Sequence, residues 1–300
     1  MTFCFEWRKN MKKGLTLVQV DPRKNHYQSN STLNSNVTVV TAYFDLGTFR
    51  KGQSGTYFTR DMYHNWARIF RHVKNPMVIL TDSEFFKLHM TAIRNESLMS
   101  TKIVLLKRSS SWAFQNIDKI KKIFESSTYP KHYPNTVVPA YVCAQHAKYD
   151  MVERAAKMNT FNTTYYMWID IGYFRNRKSE NNFYLSKPPS FDDTKIAFNL
   201  INSKLKFDRS PAIIMKQNLV LLGGGLFFGK RDYVIKFAAQ FEDAVDFFIS
   251  QGLSNTDQQV IYAMFSKTGR KILKPEVELQ VYTPPRDNDW FYLGTIMIQE

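Results

Sequence analysis

Cysteine is almost missing from this chain. Among 300 residues only Cys4 and Cys143 carry a thiol, too few for a disulfide framework or a thiolate zinc site. No apolar run approaches the roughly 20 residues that span a bilayer. The start, MTFCFEWRKNMKKG, lacks the uninterrupted apolar stretch of a signal peptide. These absences lead to the expectation of a soluble chain, intracellular or made without its own export signal, with the cytoplasm favoured. The P-loop, GxGxxG and a serine nucleophile elbow are also absent. His64, His72, His89, His132 and His146 form no ligand pair at helical spacing with an acidic partner, which argues against zinc chemistry.

Acidic residues are in short supply. There are 41 Lys and Arg against 26 Asp and Glu, a formal charge of +15. Such a balance calls for a partner carrying negative charge: a nucleoside diphosphate, nucleic acid or an anionic membrane surface. The basic residues are spread along the chain, with local clusters at Arg8–Lys13, Lys119–Lys122 and Arg175–Lys178. No basic tail is present, so nucleic acid is the less favoured partner.

Apolar and aromatic residues are plentiful. They make up 44% and 15% of the chain, with 24 Phe and 16 Tyr, which supports a substantial core and argues against disorder. Asn30, Asn36, Asn95 and Asn162 head glycosylation sequons. A chain rich in Asn, Ser and Thr produces these by chance, and no secretion is inferred from them.

Residues 1–36 read as a flexible basic and polar extension ending in QSNSTLNSN, and residues 37–300 as one domain. From Val37 apolar runs alternate with amphipathic segments. Strands are expected at Asn36–Phe44, Pro76–Asp82, Thr101–Arg108, the run YYMWID, Ile196–Ile201, Leu219–Gly229 and EVELQVY. Helices are expected at Thr59–Val73, after the N-cap Ser83, from Trp112 to Glu125, and over Val138–Met158, Asp232–Ile249 and Thr256–Phe265. Cys143, inside one of these helices, reads as a small core residue. The alternation predicts an α/β fold: a three-layer α/β/α sandwich around a mostly parallel sheet.

Three of the apolar runs end on an aspartate: Asp45, Asp82 and Asp170. Ligands of open parallel sheets bind beyond the carboxyl ends of the strands, so three such carboxylates predict a shared polar cleft, although Asp is also a common turn residue. Hard cations such as Mg²⁺ or Mn²⁺ take carboxylate and phosphate oxygens, and Asp170 is the best candidate ligand. The long polar segment after it carries Arg175, Arg177 and Lys178, suited to phosphate or to solvent. The triple glycine Gly223–Gly225 reads either as a bulge or as a close backbone approach to substrate. Trp290 caps the cleft or only packs.

Two motif readings compete. DLGT at Asp45–Thr48, DIG at Asp170–Gly172 and GGG suggest the phosphate and adenosine loops of actin-like sugar kinases. That fold needs a β-hairpin at the first loop, whereas FRKGQSGTYFTRDMYHNW is polar and runs into a helix. The other reading takes TAYFDLGTFRKG, Tyr63-x-x-Trp66, NPMVILTD, WIDIGYFR and GGGLFFG together. In order and spacing these resemble the HtrL/YibB-type family, from about Val37 to the region of Trp290.

The resemblance implies a divergent nucleotide-sugar transferase with the A-type fold, holding a UDP- or GDP-linked sugar through Mn²⁺ or Mg²⁺ in a Rossmann-like half. It implies that Ala42, Tyr43, Asp45 and Asp82 border the nucleotide, that Arg175 meets phosphate, and that Gly224 and Gly225 allow close approach below donor and acceptor. Asp257 and Gln258 would face the same cleft in catalytic roles. Asp170 would be the first residue of an Asp-x-Asp metal motif, with Gly172 where the second acid belongs. The implied activity is transfer of a sugar to a hydroxyl of a glycan, protein or lipid-linked acceptor. The alternatives are an inactive relative that binds nucleotide or glycan and, further off, a nucleic-acid-binding protein.

Overall fold

Eight strands form one sheet, in the spatial order Thr16–Val18, Glu278–Tyr282, Lys195–Leu200, Leu222–Lys230, Tyr165–Ile169, Val37–Tyr43, Met77–Thr81 and Thr101–Leu105. They are seen in a computed structural model that describes residues 16–19, 36–52 and 55–300. Seven of these strands run in one direction. Leu222–Lys230 alone runs against its neighbours, antiparallel to Lys195–Leu200 and to Tyr165–Ile169. The fold is thus mixed α/β with a large, mostly parallel sheet.

Both faces of the sheet are buried, which is why its strands read as continuous apolar runs. Val40, Val78, Leu80, Tyr166 and Trp168 point into one core, covered by helices Ile117–Glu125, Pro139–Met158, Arg231–Ser250 and Asp257–Phe265. Their neighbours Val39, Met77, Ile79, Met167 and Ile169 point into a second core, beneath helices Arg60–Ala67, Glu84–Ile93 and Tyr292–Met297. The period-2 alternation of side chains separates the two cores residue by residue.

Local chemistry sets the helix ends. The Ser83 hydroxyl accepts the Phe86 N–H at 3.2 Å, as the N-cap reading predicts. Pro139 opens the long helix, where its missing N–H costs nothing. That helix closes on Asn159 in the left-handed conformation, φ 45°. Among the described residues no helix is long and apolar enough to cross a membrane.

Three features differ from expectation. Thr16–Val18, inside the expected extension, adds a parallel edge strand beside Glu278–Tyr282; the rest of residues 1–35, apart from position 19, lies outside the described residues. The polar stretch after Asp45 forms a short hairpin, Phe49–Lys51 with Thr56–Phe58. This hairpin does not return along the preceding strand, because Val37–Tyr43 is flanked on both sides by parallel neighbours, so the loop at Asp45–Thr48 does not turn that strand back on itself as the sugar-kinase reading requires. Finally, the predicted Trp112–Glu125 helix is broken at Asn116 into Trp112–Gln115 and Ile117–Glu125.

Candidate functional site

Because the neighbouring strands are parallel, Asp45, Asp82 and Asp170 all emerge at one edge of the sheet. The reversed strand brings its beginning, Gly223–Gly225, to that same edge. The Asp170 N–H donates to the Gly225 carbonyl at 2.8 Å, joining the two segments.

At the centre of this edge lies Lys148, from the helix Pro139–Met158, with its side chain 4% exposed. Its Nζ stands 3.0 Å from Asp170 Oδ1, 3.3 Å from Asp257 Oδ2 and 3.0 Å from the Gly224 carbonyl oxygen. Trp168 Nε1 donates to Asp170 Oδ1 at 2.7 Å. Burial opposes the lysine's charge, but Asp170 and Asp257 outweigh it and the ammonium is held above its ordinary range. Asp257 is fully enclosed; burial raises its carboxyl more than Lys148 lowers it, and Asp170 adds to the rise. The ammonium is therefore the more firmly charged member of the pair. Gly224 is glycine for a steric reason, since a Cβ there would stand 2.1 Å from Asp257 Oδ2.

Above this cluster opens a cleft of about 490 Å³. Its walls are aromatic, including Tyr63, Trp66, Tyr141, Trp168, Tyr173 and Trp290. Ala42, Tyr43, Gly225 and Gln258 line it, and Asp170 is the single carboxylate among its lining residues. Two cations share one wall. Lys51 Nζ lies over the Phe58 ring at 4.8 Å and the Arg175 guanidinium over the Trp66 ring at 5.7 Å. Phe58 and Trp66 themselves meet edge to face at 5.4 Å. Arg175 Nη1 donates to the Gly172 carbonyl at 2.8 Å and the guanidinium also covers Phe291. Burial in the cleft lowers the Lys51 amine to about 8; Asp170 pulls the other way, while Lys148 and Arg175 push it down further.

Asp45 and Asp82 do not line this cleft. Arg108, just beyond the Thr101–Leu105 strand, donates from Nε to Asp82 Oδ2 at 2.7 Å and from Nη2 to the Asp45 carbonyl at 2.8 Å. Arg60 Nε donates to Asp45 Oδ1 at 2.8 Å. These carboxylates tie strand ends together, and a separate open depression of about 860 Å³ lies beside Asp82, Lys107 and Arg108. Asp257 stands behind the cleft wall, whereas Gln258 reaches into it. Of the basic residues after Asp170, Arg175 alone lines the cleft; Arg177 pairs with Glu300.

The expected divalent cation needs several oxygen ligands converging on open space. Here the space between Asp170 and Asp257 is filled by the Lys148 ammonium. Gly172, where a second acid was expected, has no room for one, because a Cβ would stand 2.9 Å from Cε3 of Trp66. Among the described residues no group of three His, Cys, Asp or Glu is placed to hold a metal. The residues present do not fit a resident divalent cation.

Sequence reading missed Lys148, Lys51 and Arg108. A signal for Lys148 exists: it falls on the apolar helical stripe Tyr141, Ala144, Met151, Ala155, where a charged residue demands a buried partner. Lys51 and Arg108 had no such signal, because their positions depend on strands far away in sequence.

A comparison with curated proteins gives no significant match. The family model described as "Bacterial protein of unknown function (HtrL_YibB)" matches residues 35–272, a stretch that contains the cleft's aspartate, its lysines and the triple glycine, and the chain belongs to that family.

Proposed function

We propose that the protein transfers a sugar from a nucleoside diphosphate sugar, UDP- or GDP-linked, to an acceptor hydroxyl. The observation that carries this reading is the cleft's division of labour. Lys51 and Arg175 offer positive charge on one wall, Asp170 offers a carboxylate on the floor, and aromatic rings fill the space between. Cations suit a diphosphate, aromatic faces suit a base and the apolar faces of a sugar ring, and a carboxylate suits sugar hydroxyls. The cleft volume lies within the range of small-molecule sites.

In the reaction the acceptor oxygen bonds to the anomeric carbon as the bond from that carbon to the diphosphate oxygen breaks. The electron pair leaves with the diphosphate, whose growing charge the two cations stabilise. The acceptor proton passes to a base, for which Asp170 is the carboxylate at hand. Gln258 has an amide that can orient a hydroxyl. Asp257 acts through Lys148 and is a positioning residue.

The test is to incubate the protein with UDP- and GDP-sugars and candidate glycan acceptors, and to follow acceptor-dependent release of nucleoside diphosphate. Asp170→Asn is expected to lower the rate by about 100-fold or more. Nucleotide-sugar binding with no turnover on any acceptor would favour a second reading, a recognition module. The hold of Lys148 on both carboxylates is the observation that supports this second reading.

A further inference from the structure

We propose that Lys51 and Arg175 form a metal-free binding site for the diphosphate group, the duty that a divalent cation performs in metal-dependent transferases, and that Lys148 closes the cation position beneath it. The inference rests on the nucleotide-sugar reading for the identity of its ligand, but the anion site itself is argued from geometry.

The first argument concerns space. A cation bridging Asp170 to a diphosphate would have to share that carboxylate with an ammonium already 3.0 Å from Oδ1 and 3.2 Å from Oδ2. Lys148 is fixed there from three directions, by Asp170, Asp257 and the Gly224 carbonyl. The helix carrying it is buried between the sheet and the helix Arg231–Ser250. Asp170 keeps 38% of its side chain exposed toward the cleft, but as the single carboxylate there. A divalent cation on it would gain no second carboxylate ligand and would be repelled by the ammonium, whose own side chain is 4% exposed.

The second argument concerns the cations that remain. Among the described residues neither Lys51 nor Arg175 has a carboxylate within ion-pair distance; Lys51 lies over the rings of Phe58 and Tyr141, and Arg175 over those of Trp66 and Phe291 with a hydrogen bond to the Gly172 carbonyl. Arg177, two residues along the same loop, is by contrast paired with Glu300. The rings that the two cations cover, Phe58 and Trp66, meet edge to face at 5.4 Å, so both cations belong to one wall. Arg175 and Lys148 both depress the Lys51 amine, a mutual repulsion that a bound anion would relieve. Arg presents a planar fork to phosphate oxygens and Lys a point charge, and together they can hold both phosphates without a metal.

Trp66, Trp168 and Trp290 line the cleft, so tryptophan fluorescence reports on its occupancy. UDP, GDP and inorganic pyrophosphate would each be titrated with excess EDTA and again with Mn²⁺ or Mg²⁺. The expected result is binding in EDTA, with affinity changing by less than about twofold on adding metal, and a loss of about tenfold in each of Lys51→Gln and Arg175→Gln. Lys51→Arg, which keeps the charge, is expected to restore most of the affinity. Circular dichroism melts of the same variants would establish that they are folded.

Binding that appears only with metal overturns the proposal, as does affinity indifferent to both glutamine variants. If pyrophosphate binds in EDTA with the expected losses but neither nucleotide binds more tightly than pyrophosphate, the anion site stands and the nucleotide-sugar reading falls. If none of the three probes binds under any condition, both fall. A Lys148→Met variant supplies an independent check: once the ammonium is removed, Asp170 and Asp257 are expected to gain measurable Mn²⁺ binding that the parent protein lacks. Mn²⁺ binding of equal strength in the parent would count against the proposal.

Discussion

Lys148 Nζ and Asp257 Oδ2 lie 3.3 Å apart, with side-chain exposures of 4% and 1%. A buried pair of this kind contributes little net stability relative to an apolar pair, but breaking it is expensive because it strands a charge. Lys148→Met is therefore expected to destabilise the fold by about 3–5 kcal/mol in urea unfolding. Adding Asp257→Asn should recover part of that loss, at least about 1 kcal/mol, because the uncompensated carboxylate goes with it. Equal losses in the single and the double variant would show that the two residues are not coupled.

Gly224 tests how tightly the cluster is packed. Its Cβ would meet Asp257 Oδ2 at 2.1 Å and Cγ at 2.9 Å, and the aspartate is held by Lys148 rather than free to swing away. Gly224→Ala should cost about 1–3 kcal/mol by overpacking. Gly172→Asp, which would restore the expected acid pair, should lower the melting temperature through Trp66 and give no Mn²⁺-dependent stabilisation in a thermal shift assay.

Asp82 and Asp170 follow the two strands that flank Val37–Tyr43, yet different outcomes are expected of them. Asp82→Ala leaves Arg108 without its carboxylate partner, so stability should fall while nucleotide affinity stays within about twofold. Asp170→Ala alters the cleft floor and should impair nucleotide-sugar binding or turnover more strongly. Isothermal titration alongside thermal melts would separate the two.

Anion affinity should depend on pH through Lys51. Its amine, lowered to about 8, is faced by Asp170, Asp257, Lys148 and Arg175. Below that pH it is charged and binds an anion; above it the charge is lost, and pyrophosphate affinity should fall by about tenfold between pH 7 and pH 9.5. Lys51→Arg should flatten this profile, since arginine stays charged throughout.

Stability should depend on pH through His146, which is buried, donates from Nε2–H to the Asn255 carbonyl at 2.8 Å, and is lowered by burial to about 4. Its folded pKa lies below the unfolded value of 6.5, so the unfolded chain binds the extra proton between those limits. Its contribution to stability is complete above pH 6.5 and declines as pH falls toward 4, by up to about 3 kcal/mol. Urea unfolding from pH 7 to pH 4.5 checks this, and His146→Gln should lessen the slope.

Much of the framework was legible in the sequence. Apolar runs with β-branched and aromatic residues located the central strands almost to the residue, as Met77–Thr81 and Tyr165–Ile169 show. Ser83 and Pro139 marked helix starts because capping chemistry is local. The shared edge of Asp45, Asp82 and Asp170 followed from parallel pairing, which alternation of strand and helix implies.

The direction of Leu222–Lys230 was not legible, because an apolar strand buried on both faces reads the same either way. Nor was the division of the three aspartates into two structural partners and one cleft residue. Arg108, Arg60 and Lys148 reach those aspartates across 15 to 63 residues of chain, and no local pattern encodes such a meeting. The sequence by itself determined which segments become strands and helices, since propensity, periodicity and capping act over a few residues. Tertiary packing alone decided that a lysine stands between Asp170 and Asp257, because only the folded sheet brings that helix, that strand end and Gly224 within hydrogen-bond distance.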